Sequence, residues 1–269
     1  MNNTEKLKFW DERAKLSDLA GTNDFVLKEI EMKTLLSYCS RGDSILDLGC
    51  GSGTAAFYIL DKLDVSITGM DFSSKMIAEA QRTAQEKGYD QEKLNFYVND
   101  IRDVKELEKA EKRYDIVMTE RVLINLDNWQ EQKDAINGII SLLKPGGIYL
   151  MYENLKEGLD NLNKVRVSIG LDDIQKPWHN RYICKNEVQE IDSAELIEFR
   201  DFTAGYYFLS RVVNAHLAKL QDRNPSYDSP INLLAESLDG FSEIEKLNIG
   251  QTRLWVFKKP LKFNYGEQK

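Results

Sequence analysis

The chain has 269 residues, a formal net charge of −8 and a sequence pI of about 5.1. A net acidic surface repels phosphate backbones and anionic lipid, so nucleic acids and membranes are poor default partners. Since 42% of the residues are apolar and 30% are charged, we expect a packed core under a soluble surface. We predict a single domain over residues 1–269, as a monomer or a homodimer.

The three cysteines are far apart, and no pair has the spacing of a metal-ligand set or a redox motif. They are Cys39, Cys50 and Cys184. This pattern predicts no metal site and fits a reducing compartment. The first ten residues carry charges without an apolar segment, unlike a secretory signal. No apolar run approaches the roughly 20 residues of a membrane span. We therefore expect a cytoplasmic protein.

Short apolar runs alternate with segments of helical spacing in the first part of the chain. The runs predict strands at 44–48, 65–70, 94–98, 115–118 and 148–152. The segments between them predict helices at 54–63, 75–87, 104–112 and 129–143. Strands that alternate with helices form right-handed βαβ units in a mostly parallel sheet. Lys144-Pro-Gly-Gly147 is interpreted as a break between the last helix and its strand.

The remaining third of the chain predicts two more strands, at 196–199 and 253–257, with helices at 206–220 and 231–238 between them. The prolines and the Asn-Pro step in 221–230 predict a turn. We therefore predict a Rossmann-like, doubly wound, seven-stranded sheet with helical insertions near the C-terminus. Residues 1–43 would form N-terminal helices and a lid, 44–155 a ligand-binding core, and 156–269 the insertions and last strands.

Three glycines, Gly49, Gly51 and Gly53, follow the first predicted strand and precede a predicted helix. Glycine permits positive φ and close approach of a ligand, and the free amides of the next helix point into the crevice. An ordinary glycine-rich turn and a nicotinamide-binding loop are the competing interpretations. The nicotinamide motif needs glycine or alanine where this chain has Thr54.

Acidic residues follow the next three strands, at the sheet edge where open α/β sheets bind ligands. With these motifs the chain resembles the class I S-adenosylmethionine-dependent methyltransferases over roughly residues 45–152. The matching motifs are Leu46-Asp-Leu-Gly-Cys-Gly-Ser-Gly53, Gly69-Met-Asp-Phe-Ser73, Asn99-Asp-Ile101, Tyr114-Asp-Ile-Val117 and Leu143-Lys-Pro-Gly-Gly147.

The resemblance implies S-adenosylmethionine as cofactor and assigns it a set of binding residues. These are Asp47, Gly49, Cys50, Gly51, Gly53, Asp71, Phe72, Met76, Asp100, Ile101 and Glu120. In this family pattern Asp71 would accept the ribose hydroxyls and Asp100 the adenine amino group. Two alternatives stay open, because Met76 also fits a helix core and Asp47 also fits a loop cap.

The N-terminal segment Phe9-Trp-Asp-Glu12 resembles the lids that close over the cofactor in this family. A helix that packs its aromatic side chains on the sheet edge is the alternative. Thr22-Asn-Asp24 predicts the N-terminal cap of a helix over 26–39.

The acceptor should bind beside loops that follow the fourth and fifth strands. His179 is the candidate catalytic base, because imidazole titrates near neutrality; a histidine held in a structural loop is the alternative. Our candidate substrate-binding residues are Arg121, Tyr152, Arg166, Trp178 and Arg181. The three arginines would converge on an anionic group or pair with nearby carboxylates. His216 fits an ordinary helix position.

The resulting hypothesis is methyl transfer from S-adenosylmethionine to a hydroxyl or other oxygen of a polar, anionic or sugar-like small molecule. One alternative is a non-catalytic S-adenosylmethionine-binding partner subunit. The other is a nicotinamide-dependent oxidoreductase, which Thr54 disfavours. The Asn-Pro-Pro-aromatic motif of amino-methylating DNA enzymes is absent after the fourth strand, where Thr119-Glu-Arg-Val122 stands.

Overall fold

A computed structural model describes residues 3–104, 112–238 and 241–261. Seven strands form one sheet in the order β3-β2-β1-β4-β5-β7-β6. The strands are β1 Ser44–Leu48, β2 Ser66–Asp71, β3 Leu94–Val98, β4 Tyr114–Glu120, β5 Leu143–Asn154, β6 Glu195–Arg200 and β7 Thr252–Lys258. Strands β1 to β5 pair in parallel, and β7 lies antiparallel to both β5 and β6. The predicted doubly wound, mostly parallel sheet is confirmed.

Helices cover both faces of this sheet and carry the insertions. The α-helices are α1 Asn3–Arg13, α2 Phe25–Leu36, α3 Thr54–Leu60, α4 Ser74–Lys87, α5 Trp129–Ser141, α6 Lys156–Ser168, α7 Lys185–Val188, α8 Ala204–Tyr207, α9 Ala215–Leu220, α10 Pro230–Leu233 and α11 Ser242–Glu245. Most of the predicted helix over 104–112 lies outside the described residues. In the described part of the chain, no helix combines the length and the apolar character that crossing a membrane requires.

Strand β1 shows why the sheet is buried on both faces. Ile45 packs into one apolar cluster, with α2 and α3, whereas Leu46 and Leu48 pack into a second cluster with α5. Successive side chains of a strand point to opposite faces, so a strand between two helical layers needs apolar residues throughout. This explains why the strands were visible in the sequence as short, mostly apolar runs.

The predicted break at Lys144-Pro-Gly-Gly147 is wrong. Strand β5 already begins at Leu143, which pairs with Tyr114, and the register then shifts before Ile148 pairs with Ile116. Gly146 takes a φ of +80° within this bulge. The proline and glycines therefore produce an irregularity inside the strand, because glycine tolerates the local backbone geometry that a bulge requires.

The predicted helix over 206–220 is present, but its middle is wound differently. Helix α8 continues into a π-helix over Phe208–Asn214 and then into α9. Asp24 caps α2, since its side chain accepts a hydrogen bond from the Leu27 amide at 3.2 Å. This cap confirms the prediction from Thr22-Asn-Asp24, with Asp24 as the capping residue.

Candidate active site

A cavity of about 600 Å³ lies at the carboxyl ends of the parallel strands, beneath α1. Twelve of the predicted site residues line it. They are Asp47, Gly49, Cys50, Gly51, Asp71, Phe72, Met76, Asp100, Ile101, Glu120, Arg121 and His179. Among the described residues, the five other candidates lie outside the lining: Gly53, Tyr152, Arg166, Trp178 and Arg181.

The three glycines after β1 all have positive φ, but they meet different surroundings. A Cβ on Gly49 would lie 2.2 Å from Val122 Cγ2, and one on Gly53 would lie 2.7 Å from Phe96 Cζ. A Cβ on Gly51 would have no protein atom within 4 Å, because this residue faces the cavity. Packing therefore requires glycine at 49 and 53, whereas the open space at Gly51 is available to a ligand.

We expect Gly49→Ala to lower the free energy of unfolding by about 2 to 4 kcal/mol, the sum of left-handed strain and overpacking against Val122. Gly88→Ala is the matched control, because Gly88 has a φ of +72° and open space around its Cβ position. The control should cost only about 1 to 2 kcal/mol. Urea unfolding measures both variants, and equal losses would refute the contact with Val122 as the cause.

Asp71 joins the glycine loop to the end of β2. Its Oδ2 accepts a hydrogen bond from the Gly51 amide at 3.0 Å, and its Oδ1 accepts one from the Ser73 amide at 2.9 Å. Burial raises the pKa of Asp71 to about 6, against the lowering effect of these two amides. The carboxylate is thus held at the cavity wall, where it can accept further hydrogen bonds.

Burial sets the pKa of Asp71 at about 6. Below that pH, we expect the affinity for S-adenosylhomocysteine to decrease by up to roughly tenfold for each pH unit. Only the ionised carboxylate offers both oxygens as acceptors. Asp71→Asn should weaken binding at neutral pH by about 2 kcal/mol and abolish this acidic limb. Calorimetry from about pH 5 to 8, a range that brackets the pKa, tests both the acidic limb and the weaker binding of the variant. An unchanged acidic limb in the variant would remove Asp71 from the binding site.

Asp47 is the clearest unsatisfied group in the cavity wall. It is 3% exposed, and its Oδ2 has no hydrogen-bond partner among the described residues. Burial raises the pKa of Asp47 well above its usual range, and the nearby Glu120 and Asp71 carboxylates raise it further. A buried carboxylate that lacks a donor is costly unless a ligand supplies one. Of the two interpretations of Asp47, the geometry favours ligand binding.

Asp100, Met76 and Ile101 line another part of the cavity. The Asp100 carboxylate is already held by Arg102, whose Nε lies 2.9 Å away. Met76 packs against Ala14, Ala20 and the partly buried Trp10, so it belongs both to a small apolar cluster and to the cavity wall. The two interpretations of Met76 are therefore compatible.

Helix α1 forms a roof that is attached on both sides of the cavity. Lys6 Nζ binds the Asn125 carbonyl and the Asp127 carboxylate, both in the segment after β4. On the other side, Asp11 accepts a hydrogen bond of 2.6 Å from the Ser73 hydroxyl. Phe9 and Trp10 line the cavity from α1, and Trp10 also packs in the small apolar cluster beside Met76. Closure of this segment over a cofactor stays a prediction.

His179 lines the cavity directly beneath this roof. Its ring centroid lies 4.5 Å from that of Phe9 and 5.9 Å from that of Trp10. Its Nδ1 is buried without a hydrogen-bond partner among the described residues. Burial lowers the pKa of His179, and the positive charges of Lys6 and Arg13 lower it further. Because this pKa lies below the usual histidine value of about 6.5, the imidazole is neutral at about pH 7 and can accept a proton.

The three predicted anion-binding arginines do not converge. Only Arg121 lines the cavity, and its guanidinium is paired with both Glu31 and Glu120. Arg181 is held away from the cavity by Glu187, with an Nη1–Oε2 distance of 3.1 Å. Arg166 donates to two backbone carbonyls. All three guanidinium groups are therefore already bound to carboxylates or carbonyls of the protein itself.

The two aromatic residues that were predicted to bind the substrate also lie outside the cavity lining. Tyr152 is fully buried and contacts Phe202, because its position in β5 points it into the core. Trp178 is 52% exposed, and its ring meets the edges of Phe9 and His179 at the rim. Glu153, which follows Tyr152 in β5, accepts hydrogen bonds from the amides of three consecutive residues, 122–124. It positions the segment after β4.

Sequence analysis missed a polar wall on the insertion side of the cavity. We call this the insertion wall; it consists of Tyr182, Tyr207, Arg211, Tyr227, Gln251 and Thr252. Tyr182 donates a 3.2 Å hydrogen bond to Gln251, and Thr252 donates a 3.1 Å bond to the cavity-lining Asn154. These residues come from four separate segments, so no local motif reveals them.

A family model described as a methyltransferase domain matches residues 40–177, just over half of the 269 residues. The chain belongs to this methyltransferase family. Residues 40–177 contain the glycine loop and the carboxylates at the strand ends. The match ends at Pro177, two residues before His179. The family's cofactor is S-adenosylmethionine, which is therefore the cofactor of this chain.

Individual relatives are more distant. The chain is 29% identical over 138 residues to an O-methyltransferase from Aspergillus nomiae, covering 51% of this chain and 57% of that protein. It is 27% identical over 110 residues to phosphoethanolamine N-methyltransferase 1 from Triticum aestivum, covering 41% of this chain and 20% of that protein. The chain thus matches less than two thirds of either relative's length.

The fold similarity extends further than the sequence similarity. The crystal structure of magnesium protoporphyrin IX methyltransferase from Synechocystis PCC 6803 with bound S-adenosylhomocysteine has a TM-score of 0.59 and 15% identity. The match covers 96% of this chain and 100% of that chain. At this identity the similarity describes the fold, including the strands and insertions beyond residue 177.

The cavity of this chain fits S-adenosylmethionine in charge and in space. The cofactor carries a cationic sulfonium and an ammonium group, and the wall offers Asp47 with an unsatisfied oxygen. Asp71 presents a fixed carboxylate for hydroxyl groups. Gly51 leaves open the space that a side chain would fill. The residues present are therefore suited to hold this cofactor.

Proposed function

We propose that this protein transfers a methyl group from S-adenosylmethionine to an oxygen atom of a polar small molecule. The observation that carries the proposal is the position of the His179 imidazole in the same cavity as the glycine loop and Asp71. A hydroxyl acceptor must lose a proton during methylation, and a neutral base of suitable pKa can receive it.

In this proposal, one part of the cavity would bind the cofactor and another would bind the acceptor. Asp71 would bind the ribose hydroxyls, and Asp47 would accept hydrogen bonds from the ammonium group of the cofactor. When bound, the cofactor supplies an electrophilic methyl group together with its own leaving group. His179 would accept the hydroxyl proton on its imidazole, and Tyr182 and Gln251 would orient the acceptor. Phe9 and Trp10 exclude water from above.

Calorimetry and a turnover assay test this function in two stages. The full chain should bind S-adenosylhomocysteine with one site per chain and show no heat with NAD. It should then transfer radiolabelled methyl from S-adenosylmethionine to members of a panel of hydroxyl compounds. NAD binding would overturn the cofactor assignment. Turnover of matched amines instead of the hydroxyl compounds would overturn the oxygen assignment, and cofactor binding without any turnover would favour the non-catalytic partner subunit.

A further inference from the structure

The insertion wall and the end of β5 bring a group of uncharged polar side chains into the cavity. These residues are all buried and all belong to the cavity lining: Asn154, Tyr182, Tyr207, Gln251 and Thr252. The antiparallel pairing of β5 with β7 places Asn154 opposite Thr252. The Leu155 amide binds the Gln251 carbonyl at 2.8 Å. Backbone pairing therefore fixes the point from which the Gln251 side chain enters the cavity wall.

The side-chain amide of Gln251 is bound on one side only. Its Oε1 accepts a 3.2 Å hydrogen bond from the Tyr182 hydroxyl, and the Tyr182 ring is packed in a small apolar cluster with Ile124 and Leu159. The Nε2 of Gln251 has no hydrogen-bond partner among the described residues, and it is not sealed inside the protein.

An amide nitrogen of this kind carries two N–H donors. Gln251 is only 7% exposed, and a buried donor that is left without an acceptor costs about 1 to 3 kcal/mol. Because Tyr182 fixes the oxygen side of the amide, the nitrogen side is the part that a ligand in the cavity can bind. Gln251 is therefore an oriented donor that the protein itself leaves unused.

Two arginines of the cavity lining, one of them in the insertion wall, are already bound by other groups of the protein. Arg121 is paired with two glutamates, and Arg211 is bound by the Asp24 carboxylate and the Ser210 hydroxyl. A carboxylate or phosphate placed against Gln251 would lose its hydration while both arginines stay engaged elsewhere. A neutral oxygen has less hydration to lose, and a hydrogen bond from the amide replaces it.

We propose that Gln251 determines acceptor specificity by donating a hydrogen bond from Nε2 to an uncharged oxygen, a carbonyl or a hydroxyl, on the small molecule that is methylated. The acceptor class is therefore neutral oxygen compounds, in preference to carboxylates and phosphates. The inference rests on the proposed function, because it assigns the insertion wall to the acceptor. A molecule without such an oxygen leaves the amide unpaired, and a site built around a polar group rejects analogues that cannot bond to it. Since Tyr182 already orients the amide, little freedom is lost on binding.

Three phenols of similar size test the proposal on the full chain saturated with S-adenosylhomocysteine. They are para-hydroxyacetophenone, a neutral ketone; para-isopropylphenol, a hydrocarbon analogue without the carbonyl oxygen; and the anion para-hydroxybenzoate. By calorimetry, the ketone should bind about tenfold more tightly than either of the other two.

Gln251→Met removes the donors and keeps a side chain of similar length. It should reduce the preference for the ketone over the hydrocarbon to within about twofold. Gln175→Met is the matched control, because Gln175 lines the same cavity but its Nε2 is bound to Asp173 at 3.1 Å. This control should keep the preference of the wild type.

Proton–nitrogen NMR of the wild-type protein provides a second measurement that does not depend on a folded variant. The side-chain amide of Gln251, identified by its contacts with the Tyr182 ring, should shift when the ketone binds and stay in place with the hydrocarbon. The side-chain amide of Gln81, which is bound to the Phe96 carbonyl at 3.0 Å, is the internal control and should not shift.

The inference would be overturned if the ketone did not bind, or if it bound no more tightly than the hydrocarbon or the benzoate. A ketone preference that survives in Gln251→Met, or an unshifted Gln251 amide in the ketone complex, would also overturn it. Loss of S-adenosylhomocysteine binding by the wild type would instead overturn the proposed function.

Discussion

Replacing His179 with alanine is expected to lower turnover by about 100- to 10,000-fold, the usual span for loss of a general base. The reason is that its neutral imidazole lines the cavity with a buried ring nitrogen that lacks a partner among the described residues. In the wild type, turnover should also fall below the lowered pKa of His179, because the protonated ring no longer accepts a proton. Initial rates against pH, at saturating S-adenosylmethionine, measure both effects.

His216→Ala is the matched control, because the only other histidine lies in α9, away from the cavity lining. This variant should keep wild-type turnover. Affinity for S-adenosylhomocysteine should change less than about threefold in His179→Ala, since a base acts on the acceptor. Full turnover in His179→Ala would show that the proton goes elsewhere. Glu120 would then be the next candidate, because its carboxylate belongs to the described cavity lining.

The second large effect is expected from Gly51→Val, which should weaken S-adenosylhomocysteine binding by at least about 100-fold. The new side chain would project into the space that the Gly51 backbone now leaves open. It would also disturb the loop whose amide binds Asp71. Isothermal titration calorimetry measures the affinity, and urea unfolding measures the stability of the same protein.

Gly42→Val separates the effect of the cavity from that of backbone strain. Gly42 also has a positive φ, +90°, with no atom near its Cβ position, but it precedes β1 and lies outside the cavity lining. This control should lose stability and keep its affinity. Normal binding by Gly51→Val would mean that the cofactor does not occupy the space beside this glycine.

The cavity wall that carries Gly51 and Asp71 could be predicted because its signals are local. The backbone of Gly51 and the carboxylate of Asp71 each stand next to the end of an apolar run, so a strand prediction also places the ligand-facing residue. Gly53 shows the limit of this reasoning. Its place in the motif suggested a ligand contact, whereas its environment is the ring of Phe96, which lies 43 positions later in the chain.

The rest of the cavity wall depended on pairings that the sequence does not display. Arg181 looked available, but Glu187 folds back onto it through a short capping turn. Arg211 looked like an ordinary residue of a long helix, and only the π-helix and the approach of Tyr227 place it in the cavity. Charge pairing and helix winding are decided by neighbours distant in sequence, which periodicity does not report.

The sequence by itself determined the sheet, the glycine loop and the carboxylates at the strand ends, because strand burial and ligand-facing turns each need particular residues at particular local spacings. Only the tertiary structure decided which charged groups remain available to a ligand. Glu31 from α2 reaches Arg121 after β4, and Asp24 from the start of α2 reaches Arg211 in the insertion. Such ion pairs join segments about 90 and 190 residues apart, and they form only once the sheet has brought those segments together.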